Sequence, residues 1–413
     1  MSFSATAARL RDALAIYDLM DDLGTALNAG GDLTMLGGGN PARIPPVIDA
    51  CADALDRLGG SAGIARRLAD YDPPQGPPAA REAVADYLRA RYGWRIDAAH
   101  VGFVPGSQAT FGYLFSIFAG RREDGTTGEV WLPLAPEYIG YFGAGAHEVP
   151  IRAFAPTVTD TGPGRFKYGI DWARLQPDAR CALMAVSVPT NPSGNLLTQV
   201  ELDRLTYLCR AATVPLVIDL AYGDPFPGIV GRHVTPPFGD GIVLALSLSK
   251  LGLPGLRTGI VVAAPEVIDL VARFNAATVL AGPGLGPALV TALIESGQID
   301  PLCREHIAPF YRDRRQRALE IAEQALAGTG ARIHEPEGAF FLWLELPPLV
   351  GGTTALYRRL KARGVLVLPG KAFFGNAPVA EREKDRCLRV SCAQPDAVLE
   401  RGFAAIAEEA ARA

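Results

Sequence analysis

Lys250 stands directly behind the apolar run Ile242–Ser247, in the string Ser247-Leu248-Ser249-Lys250. A lysine at the end of a buried strand loses hydration, so without a task it reaches for water along its own apolar stem. Here two hydroxyls precede it, and Leu251-Gly252-Leu253-Pro254-Gly255-Leu256-Arg257 brings an arginine seven residues on. Together these describe an anion cradle beside an amine. A desolvated amine next to cations has a depressed pKa and can attack a carbonyl to form an imine. Asp219 closes a second apolar run, Pro215-Leu216-Val217-Ile218. A carboxylate there is costly unless it caps a helix or meets a cation. Opposite a cationic ring nitrogen it would keep the ring protonated and able to accept electrons. Tyr222, three residues on, could then donate to an oxygen on that ring.

Four further strings share this setting. Pro189-Thr190-Asn191-Pro192-Ser193-Gly194 reads by itself as an ordinary Asn-Pro turn, and gains weight from lying at a strand end between the others. Gly106-Ser107-Gln108-Ala109-Thr110 follows the run Val101–Val104 and opens a helix, so free N–H groups and a hydroxyl meet a positive dipole end; a plain Ser cap is the simpler reading. Tyr138 could stack on a flat ring or merely pack. Arg389, inside Cys387-Leu388-Arg389-Val390-Ser391-Cys392, is either half of an internal ion pair or a bidentate clamp for a carboxylate.

The elements that must position these residues are legible as short apolar runs separated by helical or loop segments, the alternation of an α/β domain with a largely parallel sheet. We expect strands at Val101–Val104, Val130–Leu132, Ala182–Val188, Pro215–Asp219, Ile242–Ser247 and Gly259–Ala263. Runs this apolar suit strands covered on both faces. Each ends at Pro, Gly, Ser or Asn, and ligands of open α/β sheets bind beyond the carboxyl ends of strands. After about residue 305 the texture changes to α+β, so we expect a large domain over 46–305, a smaller one over 306–413, and an arm over 1–45 packing on the smaller domain. Gly37-Gly38-Gly39-Asn40-Pro41 reads as a loop between two helices.

Composition narrows the partners. A formal net charge of -4 gives no basic field for a nucleic-acid backbone. The six cysteines show neither CxxC pairs nor His at ligand spacing, so no metal site or disulfide framework is expected, and buried thiols point to a reducing compartment. There is no run of about eighteen apolar residues and no apolar leader after a basic start, which places the chain in the cytoplasm and away from membranes. Gly282-Pro283-Gly284-Leu285-Gly286 lacks the spacing and preceding strand of a dinucleotide fingerprint.

In order and type, the SxSK…R, NPxG and DxAY elements resemble those of the class I and II aminotransferases of fold type I, and the resemblance covers nearly the whole chain. It implies pyridoxal 5'-phosphate as cofactor, held by Lys250 as a Schiff base. It implies Asp219 on the pyridinium, Tyr222 and Asn191 on the ring oxygen, Tyr138 stacked on the ring, and Ser107, Gln108, Ser247, Ser249 and Arg257 around the phosphate. Gly39 and Arg389 would hold the substrate carboxylate. Tyr71, in Asp70-Tyr71-Asp72-Pro73-Pro74-Gln75-Gly76, is similar to a tyrosine that reaches the phosphate of the neighbouring subunit, which implies a homodimer with shared sites. Longer strings, Met35-Leu36-Gly37-Gly38-Gly39-Asn40-Pro41-Ala42 and Leu134-Ala135-Pro136-Glu137-Tyr138-Ile139-Gly140-Tyr141, resemble the branch that exchanges amino groups between aliphatic amino acids of the valine and alanine type and a 2-oxo acid such as pyruvate. The stretch Asn275–Gly286 lacks the arginine that dicarboxylate-specific members use, which favours an uncharged side chain. A different amino-acid specificity, or a lyase or decarboxylase with the same lysine and aspartate, stays open at this point. An effector-sensing regulator of this fold would need a DNA-binding domain ahead of it, for which the first 45 residues are too few.

Overall fold

The computed structural model describes residues 33–144 and 149–411, with scattered positions among the first 32. Most of the expected 1–45 arm therefore lies outside the described residues. What is described of it is β1 (Thr34–Met35), which pairs in parallel with β14 (Val365–Leu366), and Leu36, which joins the core beneath that pair. The triple-glycine loop accordingly runs from a strand, not a helix, to the helix Pro45–Arg57.

The first sheet has eight strands: β2 (Val101–Val104), β3 (Gly120–Arg121), β4 (Thr127–Leu132), β5 (Ile151–Ala153), β8 (Cys181–Ser187), β9 (Leu216–Asp219), β10 (Ile242–Ser247) and β11 (Gly259–Val262). Their order is β2-β11-β10-β9-β8-β4-β3, with β5 also on β4. All pairings are parallel except those of β11 with both its neighbours and of β3 with β4. Every residue of β8, β9 and β10 is buried, as expected for strands covered by helices on both faces. One of those helices, Gln199–Ala211, starts at a reciprocal cap between Thr198 and Glu201.

A second sheet of six strands runs β15-β16-β13-β12-β7-β6: β15 (Leu368–Pro369), β16 (Cys387–Ser391), β13 (Phe341–Glu345), β12 (Arg332–His334), β7 (Arg165–Gly169) and β6 (Thr157–Gly162). Its own core gathers Leu342, Leu344, Leu388, Val390, Leu399, Phe403 and Ile406. Hairpin β6–β7 is drawn from within the 46–305 stretch, so this sheet is not built from the last hundred residues alone. The register sets Arg389 opposite both Trp343 and Leu368, with its side chain buried between the two sheets.

Candidate active site

The carboxyl ends of β2, β4, β8, β9 and β10 share one edge of the first sheet. Because β11 runs antiparallel, its amino end lies at that edge too, and Arg257 arrives there two residues before the strand begins. Register ties the edge together: Ser187 is level with Asp219, and Ser247 with Gly259, which in turn is level with Val104. A cavity of about 130 Å³ opens there, lined by Ser107, Gln108, Tyr138, Ser187, Asn191, Asp219, Ala221, Tyr222, Ser249, Lys250 and Arg257.

Lys250 Nζ donates to the carbonyl of Gly39 at 2.7 Å and lies 5.5 Å from the centre of the Tyr222 ring. Burial, reinforced by the Arg389 and Arg257 guanidinium groups and opposed by Asp219, lowers its pKa from 10.5 to about 8. The neutral amine is the nucleophile, so in the cofactor-free protein imine formation with added pyridoxal phosphate should rise with pH to a midpoint near 8. A midpoint near that of a free lysine would contradict this geometry; stopped-flow absorbance measures it.

Asp219 Oδ1 accepts from the Ala221 N–H at 2.9 Å and Oδ2 from the Tyr141 hydroxyl at 2.8 Å. Burial raises its pKa to about 6, against those two hydrogen bonds and the Lys250 charge, which lower it. A carboxylate held this way is two lone pairs short of saturation, and a cation set against it would favour its charged form.

The anion cradle needs close backbone approach. Gly106, at φ +91°, starts the helix Ser107–Phe118, and a Cβ there would sit 2.5 Å from Arg257 Nη2. A Cβ on Gly259 would meet Ser107 N at 2.9 Å. Bare backbone at both positions lets the guanidinium and the first free N–H groups of the helix converge. Gln108 also lines the cavity. Its Nε2 donates to the Gly140 carbonyl at 2.8 Å, which orients the amide and leaves Oε1, an acceptor without a partner among the described residues. That oxygen is an acceptor, so an anion beside Gln108 would meet its backbone N–H, while its side-chain amide is taken up by the Gly140 carbonyl.

Arg389 Nη1 donates to Asn191 Oδ1 at 2.8 Å and Nη2 to the Gly37 carbonyl at 2.9 Å, with the guanidinium 4.1 Å from the centre of the Phe341 ring. Nε is buried without a partner, and among the described residues no carboxylate pairs with the group. The internal ion pair left open from the sequence is thus absent here. Because Asn191 spends its oxygen on Arg389, its NH2 group is the end left to donate into the cavity. The loop Gly37–Gly39 touches the arginine at one end and Lys250 at the other.

Two of the residues named from the sequence are not among those lining this chain's cavity. Ser247 is buried but does not line the cavity; its hydroxyl accepts from the Ser249 N–H at 3.2 Å and shapes the turn that carries Lys250. Tyr71 is 82% exposed and does not line its own chain's cavity. Three residues were missed: Tyr141, Glu137 and Ser187. An acid between Pro136 and Tyr138 in an otherwise apolar turn was the available signal for the second.

An amine that forms imines, a carboxylate for a ring nitrogen, hydroxyl and amide donors, and a guanidinium beside a helix N-terminus fit a flat anionic aldehyde with a basic ring. Comparison with known proteins agrees. Residues 32–406 match the family model of aminotransferase class I and II. The chain is 40% identical over 413 residues to the valine–pyruvate aminotransferase of Escherichia coli, covering 100% of this chain and 99% of that one. Among solved structures, the valine–pyruvate aminotransferase of Salmonella typhimurium is similar with a TM-score of 0.87 at 40% identity, over 95% of this chain and 98% of that chain. An amino-acid aminotransferase of Psychrobacter arcticum superposes with a TM-score of 0.94 at 35% identity, over 99% and 98%. The chain therefore belongs to the class I and II aminotransferases, enzymes of fold type I that work with pyridoxal 5'-phosphate.

Proposed function

We propose that the protein moves the amino group of an aliphatic amino acid, of which L-valine is the reference, to pyruvate in two half-reactions. One observation carries this reading: one small cavity is lined by Lys250, Asp219 and Asn191, with Asn191 held by a buried arginine that has no acidic partner among the described residues. The arginine would take the α-carboxylate common to donor and acceptor. Gly39, whose carbonyl touches Lys250, would lie against the same carboxylate.

Bound pyridoxal phosphate supplies an aldehyde carbon and an electron-accepting ring. Lys250 Nζ would hold that carbon between turnovers, then remove the proton from the substrate Cα and return it on the other side of the exchange. Its depressed pKa suits a base working near neutrality. Asp219, oriented by the Tyr141 hydroxyl, would keep a proton on the ring nitrogen, and Tyr138 would cover one ring face. Tyr222 and the Asn191 NH2 would donate to the ring oxygen, while Ser107, Ser249, Arg257 and the helix N-terminus would hold the phosphate.

The aliphatic preference is supported by the kinship described above and by the absence of arginine from Asn275–Gly286. Tyr71 sits on a loop anchored by Asn275, whose amide donates to the carbonyls of Pro74 and Phe103 at 2.7 Å each. We assign this exposed loop to a homodimer interface, with Tyr71 reaching the partner's phosphate. Among the described residues no helix is long and apolar enough to cross a membrane, and the six thiols are buried and free, which favours a cytoplasmic site of action. We keep residues 46–305 and 306–413 as large and small domains, with hairpin β6–β7 lent to the latter's sheet.

The test is a donor screen with pyruvate as acceptor. L-Valine should exceed L-aspartate in kcat/KM by roughly 100-fold, since a carboxylate side chain would be buried unpaired. Preference for aspartate would overturn the substrate assignment.

A further inference from the structure

Glu137 is fully shut off from solvent in the turn after β4, and among the described residues no cation pairs with it. Its oxygens take three hydrogen bonds: from the Ser187 N–H at 2.8 Å, from the Ser187 hydroxyl at 2.6 Å and from the Tyr138 N–H at 3.0 Å. Burying a carboxyl group costs several kcal/mol unless its lone pairs are met, so this site is built for an acceptor. Both donor residues line the active-site cavity, whereas Glu137 stands behind its wall. Its own N–H donates to the Phe373 carbonyl at 2.8 Å, which ties the turn to the segment packed near Arg389.

Of the three donors, two are peptide groups fixed in place and one is a hydroxyl free to rotate. While the Ser187 proton points at Glu137, the lone pairs of Ser187 Oγ face the cavity, and strand register sets them level with Asp219. The Tyr138 peptide is fixed by the same carboxyl. Its ring is pinned from the far side, since a Cβ on Gly140 would lie 2.4 Å from Tyr138 Cε1 and from Gln108 Oε1.

We infer that Glu137 is a positioning residue of the active site: through Ser187 Oγ and the Tyr138 peptide it holds a hydrogen-bond acceptor and an aromatic face against the cofactor ring, beside Asp219. The inference rests on the aminotransferase reading above. It assigns work to a group that touches neither cofactor nor substrate. A Gln at 137 keeps the shape but turns an NH2 group toward donors, so one of the three bonds must break.

The test uses cofactor-saturated Glu137→Gln, Ser187→Ala and the double variant beside the unaltered enzyme. Four quantities are read: kcat and KM, the pH midpoint of the bound-cofactor absorbance, the affinity of the cofactor-free protein for pyridoxal phosphate, and the unfolding midpoint. Positioning predicts that kcat falls roughly 10- to 100-fold for Glu137→Gln with KM changed by less than about threefold. The absorbance midpoint moves, cofactor affinity weakens, and the double variant is no worse than Glu137→Gln because both act along one path. Folded variants with unaltered kcat and absorbance midpoint would overturn the inference, as would fully additive losses. If Glu137→Gln does not fold, Ser187→Ala decides alone: an unchanged midpoint and cofactor affinity count against it. Turnover by the unaltered enzyme separates the two levels, since its absence would sink the aminotransferase reading and its presence with silent variants only the role of Glu137.

Discussion

Lys250→Ala should lose at least about 10⁴-fold in kcat, because one change removes both the group that tethers the cofactor and the base that moves the Cα proton. The fold should survive. Among the described residues the side chain makes one hydrogen bond, to Gly39, and burial with the Arg389 and Arg257 charges outweighs the attraction of Asp219, so truncation removes a charge the site does not favour. The expected profile is an unfolding midpoint within a few degrees of the original, loss of the imine absorbance band, and residual cofactor binding through the phosphate cradle. Lys250→Arg should be equally inactive, since a guanidinium does not form imines at neutral pH. Turnover above a hundredth of the original rate in the alanine variant would remove Lys250 from the centre of the mechanism.

Arg389→Lys should raise KM for the amino acid and for the 2-oxo acid together, by roughly 100-fold each, since both present the same α-carboxylate to the same fork. A lysine supplies a point charge in place of two parallel donors. Arg389→Ala should cost roughly 10²- to 10³-fold, the range for losing one partner of a buried charge-assisted pair. It also strips donors from Asn191 Oδ1 and the Gly37 carbonyl, so kcat should fall as well, and stability by about 1–3 kcal/mol for each acceptor left unmet. A rise in KM for only one of the two substrates would show that the carboxylates bind in different places.

How far the sequence carried these conclusions depends on the range of the interactions. Strands buried on both faces announce themselves as apolar runs ended by turn residues, and Val101–Val104 and Ile242–Ser247 match at both ends. Lys250 and Asp219 were found because each is a charge at the end of such a run. Hairpin β6–β7 gave no such signal: all six residues of β6 are exposed, and it owes its place to β7 pairing with β12, more than 150 residues away. Arg389 was visible as an oddity in an apolar strand, but whether it met an acid or awaited a substrate depended on Asn191, 198 residues earlier. The Tyr141 hydroxyl on Asp219 spans 78 residues and leaves no local trace. Ser247 and Ser249 would share a face in an unbroken strand, but β10 ends at Ser247, so spacing alone did not say that Ser249 would line the cavity while the Ser247 hydroxyl met the Ser249 N–H. Glu137 was overlooked while its neighbour Tyr138 was noticed, although a lone acid in an apolar turn is the more expensive residue to bury.

The most direct test of the central claim follows the nitrogen. The purified protein, saturated with pyridoxal phosphate, is given ¹⁵N-labelled L-valine and unlabelled pyruvate, and the products are measured by mass spectrometry. Amino transfer predicts labelled alanine and 2-oxoisovalerate in equal amounts, with no carbon dioxide released and no product from the Lys250→Ala variant. Release of carbon dioxide or free labelled ammonia in place of labelled alanine would contradict it and point to a lyase or decarboxylase built on the same lysine and aspartate.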